Sequence, residues 1–565
     1  MQTEWDQLRH RSEDETITLP RWYARAVPSA LALSLLLLVA LTCTNTMGFL
    51  STDVGGKVAT LEAMKRNGTL SPDLGYWAVA ADPDGSLYPM WSTSQVDSSW
   101  INVTTLPMLL IALPLYKVGG AFAAGLVPLA GTVLAAFAAR TLGRRLGSDG
   151  TAAFWIVGAA SPLTIYALDF WEHSLGVALV VWAVVWVLDA SRDGGSWRTA
   201  LAAGACFGLA ASMRQEALVY GFVSGCGLGI RLLTSGSQVA ATVRGGALSV
   251  GFVFAWFINS ALESSIIGDS TRLDRSTGTA VRIFSDGLLR LEEALITVGS
   301  PFARTGALFL ALAAITVMVL VELGRRVDTT EPLRPIVTAG AIIGMLWLVN
   351  LFVSGLGFVP GLAATTPVAL LSLTRTWGTA DRRLVGGIAV GALPLIWAVQ
   401  YTGGAIPQWG GRYLLASGTL LVVLTTVVLT SAAGKQLLRS AALVGFIVTL
   451  VGVLWTVERT HGFANAMQIL ADRDEPALVF ADPFLSREGG ILVLDERWLA
   501  VTDSADRTEA ADVLLELGIR EIGFVQPFRG EDVVALPGWK IVAAERIPLL
   551  DGVDLQVTTQ VPAED

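Results

Sequence analysis

Apolar runs of about twenty residues recur along this chain, separated by polar turns that alternate between arginine-rich and arginine-poor. Runs of this length can cross about 30 Å of hydrocarbon. The pattern predicts thirteen spans, near 28–50, 119–140, 150–168, 174–190, 198–213, 217–233, 245–263, 305–323, 335–354, 360–374, 384–401, 413–431 and 439–457, with 217–233 and 360–374 interrupted by Gly or Pro. The segment 103–117 is apolar but short and carries two prolines, so it reads as a helix lying in the interface. Arg21 and Arg25 precede the first span and place the N-terminal segment 1–27 in the cytoplasm. An odd number of spans then puts the C-terminus outside. The membrane part, 28–457, has two long outer loops, 51–118 and 264–304. The piece 281–297 of the second has apolar residues at helical spacing and reads as an amphipathic helix on the membrane.

The period changes near residue 458. Strand patterns at 476–483, 498–503, 520–526, 539–545 and 554–560 surround an amphipathic helix at 506–517. The expected architecture is therefore a mainly α polytopic membrane bundle with a small extracytoplasmic α/β domain at 458–565. That domain shows no glycine-rich phosphate loop and no nucleophile elbow, and reads as an accessory or acceptor-recognition unit.

Composition agrees with this class. Of 565 residues, 53% are hydrophobic and only 15% charged, against about 25% charged in soluble domains. The formal net charge of −9, with no basic patch interleaved with aromatics, argues against nucleic acid as a partner. Cys43, Cys206 and Cys226 lie in apolar runs and read as small buried hydrophobes.

Candidate chemistry gathers at the outer ends of the spans, where a charge beside hydrocarbon costs at least a few kcal/mol. Asp53 follows the first span, and Lys57 lies one helical turn beyond it. Asp169, Glu172 and His173 share one tight turn with Tyr166 and Trp171. Arg214 and Glu216 sit at another outer turn, against the positive-inside bias, where a guanidinium suits a phosphate. Trp409, Arg412 and Tyr413 flank two glycines in a third. In the first loop, Tyr88 and Trp91 offer aromatic surface of the kind that stacks on sugars, and Lys117 adds a cation at the end of the interfacial helix. No metal-ligand spacing is present. A divalent cation held by Asp53 with Asp169 or Glu172 is compatible with the carboxylates, though nothing demands one.

The acidic residue after the first span (Thr52-Asp53), the long first loop, the proline-containing interfacial helix ending in Tyr116-Lys117-Val118-Gly119, the Asp169–His173 turn and the outer C-terminal domain together resemble the GT-C superfamily of membrane glycosyltransferases. Within it, the chain resembles the branch of aminoarabinose, mannosyl- and arabinofuranosyltransferases. It departs from the pattern at Val54, where many relatives carry a second acidic residue. The resemblance implies a polyprenyl-phosphate sugar donor of arabinofuranose or mannose type and a glycan, lipid or protein acceptor in the cell envelope. It implies inversion at the anomeric carbon with Asp53 as general base, a role that suits a carboxylate poised near neutral pH. Asp169, Glu172 and His173 would position acceptor or base, and Arg214, Arg412, Lys57 and Lys117 would stabilise the leaving phosphate. The competing reading is a secondary transporter or lipid-linked-sugar flippase, which would set charges at mid-span rather than at the outer ends.

Overall fold

The computed structural model describes residues 21–49, 51–102, 105–268, 297–298, 359–399, 409–528, 534–550 and 553–563. The expected spans 305–323 and 335–354, all but the last residue of the expected helix 281–297 and most of the loop 264–304 lie outside these residues.

The first apolar helix, α1 (Arg21–Cys43), starts earlier than hydropathy suggests and stops at Cys43 rather than near residue 50. Polar side chains end it. The Thr44 hydroxyl donates to the Leu41 carbonyl, and the Asn45 side chain accepts from the Met47 N–H. A new helix, α2 (Thr52–Arg66), begins after Ser51, whose hydroxyl accepts from the Asp53 N–H at 3.3 Å. The first loop then forms a short hairpin, β1 (Thr93–Val96) with β2 (Ser99–Asn102).

The long helix α3 (Leu106–Arg145) breaks at Gly119–Gly120, where Gly120 takes a φ of 62° that glycine adopts without steric cost. The break falls where the interfacial segment was expected to give way to the second span. α4 (Thr151–Ala159) and a single turn at Leu163–Tyr166 replace the continuous span expected at 150–168. Pro162, at the start of that turn, cannot continue the hydrogen-bond ladder. The expected span 360–374 is likewise two short helices and a 3₁₀ turn, with Pro367 opening the second helix.

Next come α5 (His173–Ser191), α6 (Trp197–Met213), α7 (Glu216–Thr234) and α8 (Gln238–Ile267). After the gap follow α9 (Ala380–Val399), α10 (Leu415–Val428) and α11 (Ala432–Ala471). Among the described residues five helices are long and apolar enough to cross a membrane: α3, α5, α7, α8 and α11. Two shorter apolar stretches, Val27–Cys43 and Arg412–Val428, accompany them. The described residues thus reach fewer spans than the thirteen expected.

α5 is buried along most of its length. By contrast Leu31, Leu35, Phe254, Phe257 and Leu454 are exposed, as faces meeting lipid tails would be. Cys43 and Cys226 also lie on exposed faces and Cys206 is half-buried, so none is the buried hydrophobe that its apolar run suggested. α6 and α8 approach until a Cβ on Gly204 would stand 1.9 Å from the Leu248 carbonyl, and one on Gly251 would stand 2.1 Å from the Leu201 carbonyl.

At the end of the bundle that holds Asp53, α11 leads into a five-stranded sheet. In chain order its strands are β3 (Leu478–Phe480), β4 (Trp498–Ala500), β5 (Ile522–Pro527), β6 (Trp539–Leu550) and β7 (Val553–Pro562), and in space they run β4-β3-β5-β7-β6. β3 pairs parallel with β4 and β5, while β7 pairs antiparallel with β5 and β6. α12 (Pro483–Arg487) follows β3, and α13 (Ser504–Glu516) covers the sheet. The sheet does not stand apart. Leu74, Tyr88, Met90 and Trp100 of the first loop share one core with Met467, Phe480, Leu485 and Trp498.

Candidate active site

Four turns from distant parts of the chain meet where the bundle joins the sheet. Asp53 stands in the first turn of α2, where the helix dipole favours a carboxylate. Its Oδ1 accepts from Arg487 Nη1 at 2.9 Å. The Asp53 side chain is 43% accessible while Arg487 is 3% accessible, so the carboxylate is held from behind and open in front. Burial pushes the Asp53 pKa up, but the charges of Arg487, Lys57 and Arg412 outweigh it and hold the carboxyl below the ordinary carboxylate range. A carboxylate poised near neutral was the expectation for a general base. The structure corrects it, because three cations surround the group.

One turn along α2, Lys57 is buried and forms a close ion pair with Glu172. Glu172 also takes Arg214 Nη1 at 3.3 Å, and Arg214 Nε donates to Glu216 at 2.9 Å. Burial raises the Glu172 pKa, yet Lys57 and Arg214 bring it down to about 2. The chain Lys57–Glu172–Arg214–Glu216 thus alternates basic and acidic side chains, the pairing that buried charges require.

Arg214 lies over the Tyr413 ring at 5.4 Å, and Arg412 lies over Tyr413 at 4.6 Å and Trp171 at 5.9 Å. His173, at the start of α5, is buried and stacks on Tyr166 at 4.7 Å, with Trp171 at 4.5 Å. The Tyr166 hydroxyl donates to the Trp409 carbonyl at 2.8 Å. Arg214, Glu216, Arg412, Tyr413, His173 and Tyr220 line a small cavity between α5, α7 and the start of α10. Among the described residues, Arg412 Nε and both His173 ring nitrogens are buried there with no hydrogen-bond partner. The Arg412 N–H, and whichever His173 nitrogen carries the proton, can donate to an oxyanion.

Asp169 is brought near but buried behind the Lys57–Glu172 pair. Its carboxylate accepts from the Phe170 N–H at 3.0 Å. Burial pushes its pKa up to about 7, against the charges of Arg459 and Lys57. Trp409 is buried against Trp455 and supports the cavity through its backbone. Trp91 reaches the rim. Its ring, 45% exposed, stacks on Phe484 at 4.9 Å, and its carbonyl accepts from Asn102. Two expected residues are not brought into the cluster. The Tyr88 ring is buried between Tyr76 and Trp100, so it offers no open face to a sugar. Lys117 is exposed just before the α3 break and makes none of the cluster's contacts.

Arg487, Asn102, Arg459 and Glu488 escaped the sequence reading. Arg459 on α11 contacts the Phe49 carbonyl and pairs with Glu488 at 2.9 Å, tying the sheet to the end of the first loop's entry turn. Gly55-Gly56 was the available signal, since paired glycines inside a helix mark a close approach. A Cβ on Gly55 would lie 1.9 Å from the Arg487 carbonyl, and one on Gly56 would lie 2.3 Å from Asn102 Oδ1.

Among the described residues no three His, Cys, Asp or Glu side chains come together. Asp53 is matched by Arg487, and Glu172 by Lys57 and Arg214. Among the described residues, a divalent ion shared by Asp53 and Glu172 would have to displace those cations.

No family model and no curated relative matches the chain. Solved structures do. ArnT from Cupriavidus metallidurans bound to undecaprenyl phosphate aligns over 96% of this chain and 98% of its own, with 12% identity and a TM-score of 0.42. The Archaeoglobus fulgidus oligosaccharyltransferase tethered to an acceptor peptide aligns over 87% of this chain and 68% of its own, with 10% identity and a TM-score of 0.44.

Proposed function

We propose that the protein is a membrane glycosyltransferase that moves a sugar of arabinofuranose or mannose type from a polyprenyl-phosphate donor to a cell-envelope glycan, lipid or protein acceptor on the outer face. One observation carries the reading: an accessible carboxylate, Asp53, lies within electrostatic reach of Arg412, which with Arg214 lines a small cavity. The acceptor hydroxyl oxygen attacks the anomeric carbon from one side. The bond from that carbon to the phosphate oxygen breaks on the other, which inverts configuration. The hydroxyl proton passes to the Asp53 carboxylate, and the electron pair leaves with the polyprenyl phosphate, whose charge Arg214 and Arg412 receive. Phosphate is a good leaving group, so an oxocarbenium-like transition state asks little of the base. An aspartate held below its usual range is adequate to take the proton late. Glu172 fixes Lys57 and Arg214, and His173 and Asp169 support the wall behind. The multi-pass chain would sit in the plasma membrane with its N-terminus in the cytoplasm and the sheet outside.

The test is transfer of radiolabelled sugar from synthetic polyprenyl-phosphate-arabinose and polyprenyl-phosphate-mannose by purified wild type and Asp53→Asn. Wild type should transfer from one donor, and Asp53→Asn should lose about 100- to 10,000-fold, the range for a general base. Equal transfer by both would remove Asp53 as base. Movement of the lipid-linked sugar across a bilayer without transfer would establish the flippase or transporter reading instead.

A further inference from the structure

We infer that Arg487, carried into the site by the C-terminal sheet, is a positioning residue for Asp53, so that the sheet is part of the transfer site rather than an accessory to it. This rests on Asp53 being the base. Arg487 spans two partners, with Nη1 on Asp53 Oδ1 at 2.9 Å and Nη2 on Asn102 Oδ1 at 2.8 Å. Asn102 is itself fixed, because its Nδ2 donates to the Trp91 carbonyl and to Thr93 Oγ1, both at 3.0 Å. A planar guanidinium held at two points orients the carboxylate it binds. With Oδ1 engaged and the side chain 43% accessible, the Asp53 carboxylate can still meet an acceptor hydroxyl.

The helix that carries Asp53 is shaped for this contact. Gly55 and Gly56 each cost a helix interior roughly 0.5–1 kcal/mol relative to alanine. Any side chain at either position would collide with the Arg487 backbone or with Asn102. The docking is further anchored by the buried pair Arg459–Glu488 and by the Ser486 hydroxyl on the Pro89 carbonyl.

The groups acting on Asp53 are Arg487 from α12, Lys57 from α2, Arg412 ahead of α10 and Glu172 ahead of α5. Arg487 is the cation in contact, so removing its charge should move the acid limb of the pH–rate profile upward. The full chain is assayed for transfer as Arg487→Gln, Arg487→Lys and Asn102→Ala beside Asp53→Asn, with thermal midpoints as a folding check. Expected for Arg487→Gln is a kcat lower by about 10- to 100-fold, an acid limb displaced to higher pH and an unchanged donor KM. Arg487→Lys should return the acid limb to its place but restore kcat only in part. Asn102→Ala should lower kcat with the acid limb unmoved. If Arg487→Gln does not fold, the other two variants decide. Wild-type kcat and profile in folded Arg487 and Asn102 variants, with Asp53→Asn inactive, overturn this inference alone. An active Asp53→Asn overturns the proposed function with it.

Discussion

At the scale of single residues, two carboxyls in one turn are driven in opposite directions. Glu172 has two cations and stays ionised, while Asp169 is enclosed and holds its proton up to about 7. The consequences for stability have opposite signs. Unfolded, Asp169 ionises at its ordinary 3.8, so between there and about 7 the folded chain binds a proton that the unfolded chain has lost. Stability therefore falls as pH rises through that window, by about 1.4 kcal/mol per pH unit at most. Glu172 is depressed, so the stability from its ion pairs is complete above its ordinary 4.5 and lost as pH falls towards about 2. Asp169→Asn should raise the thermal midpoint in detergent at pH 8 and change it little at pH 4. A midpoint equally affected at both would show that the side chain acts through contacts and not through its proton.

At the scale of elements, α6 and α8 meet through glycines. Gly204 and Gly208 form a small-xxx-small stripe that lets the two backbones close, with Gly251 opposite. Gly204→Val would place carbon into the Leu248 carbonyl. It should cost about 1–3 kcal/mol, read as a lower thermal midpoint, and leave the donor KM of the surviving protein unchanged. Helices of this kind are legible in sequence. The expected 174–190, 198–213 and 217–233 match α5, α6 and α7 closely, because polar residues bound each apolar run. The interruption of 360–374 was legible in its Gly and Pro residues, whereas 150–168 was not legible as a broken helix. Burial inside protein asks for the same apolar residues as burial in lipid, so hydropathy passes over the stop at Pro162. The site divides in the same way. Asp53, Lys57, Glu172, Arg214 and Arg412 announce themselves as charges where charges are costly. Arg487 sits among ordinary polar residues, and its meaning comes only from docking across 434 positions of sequence.

At the scale of the whole molecule, the two ends of the bundle use charge differently. Opposite the site, Asp189 and Asp381 bind Arg145, Arg192 and Arg231, stitching the ends of α3, α5, α7 and α9 together. At the site end, charges are buried and hydrophobic packing does the joining: the first loop and the sheet share one core. Shortening the chain to end at residue 471 should therefore expose the loop around Tyr88 and Trp100 as well as removing Arg487. Limited proteolysis should cut between residues 70 and 102 faster in the shortened chain than in the full one. Equal rates would mean the loop folds without the sheet.

That shared core also sets a schedule. Asn102 and Arg487 are 385 residues apart. At ribosomal speeds of about 5–20 residues per second, roughly 20–80 s pass between the synthesis of one and the other. During that interval the loop is complete, yet its apolar residues have no sheet to close on and Asp53 has no guanidinium behind it. The segment that finishes the site is translated long after the loop it closes on, so a nascent or prematurely terminated chain can occupy the membrane without holding an assembled site.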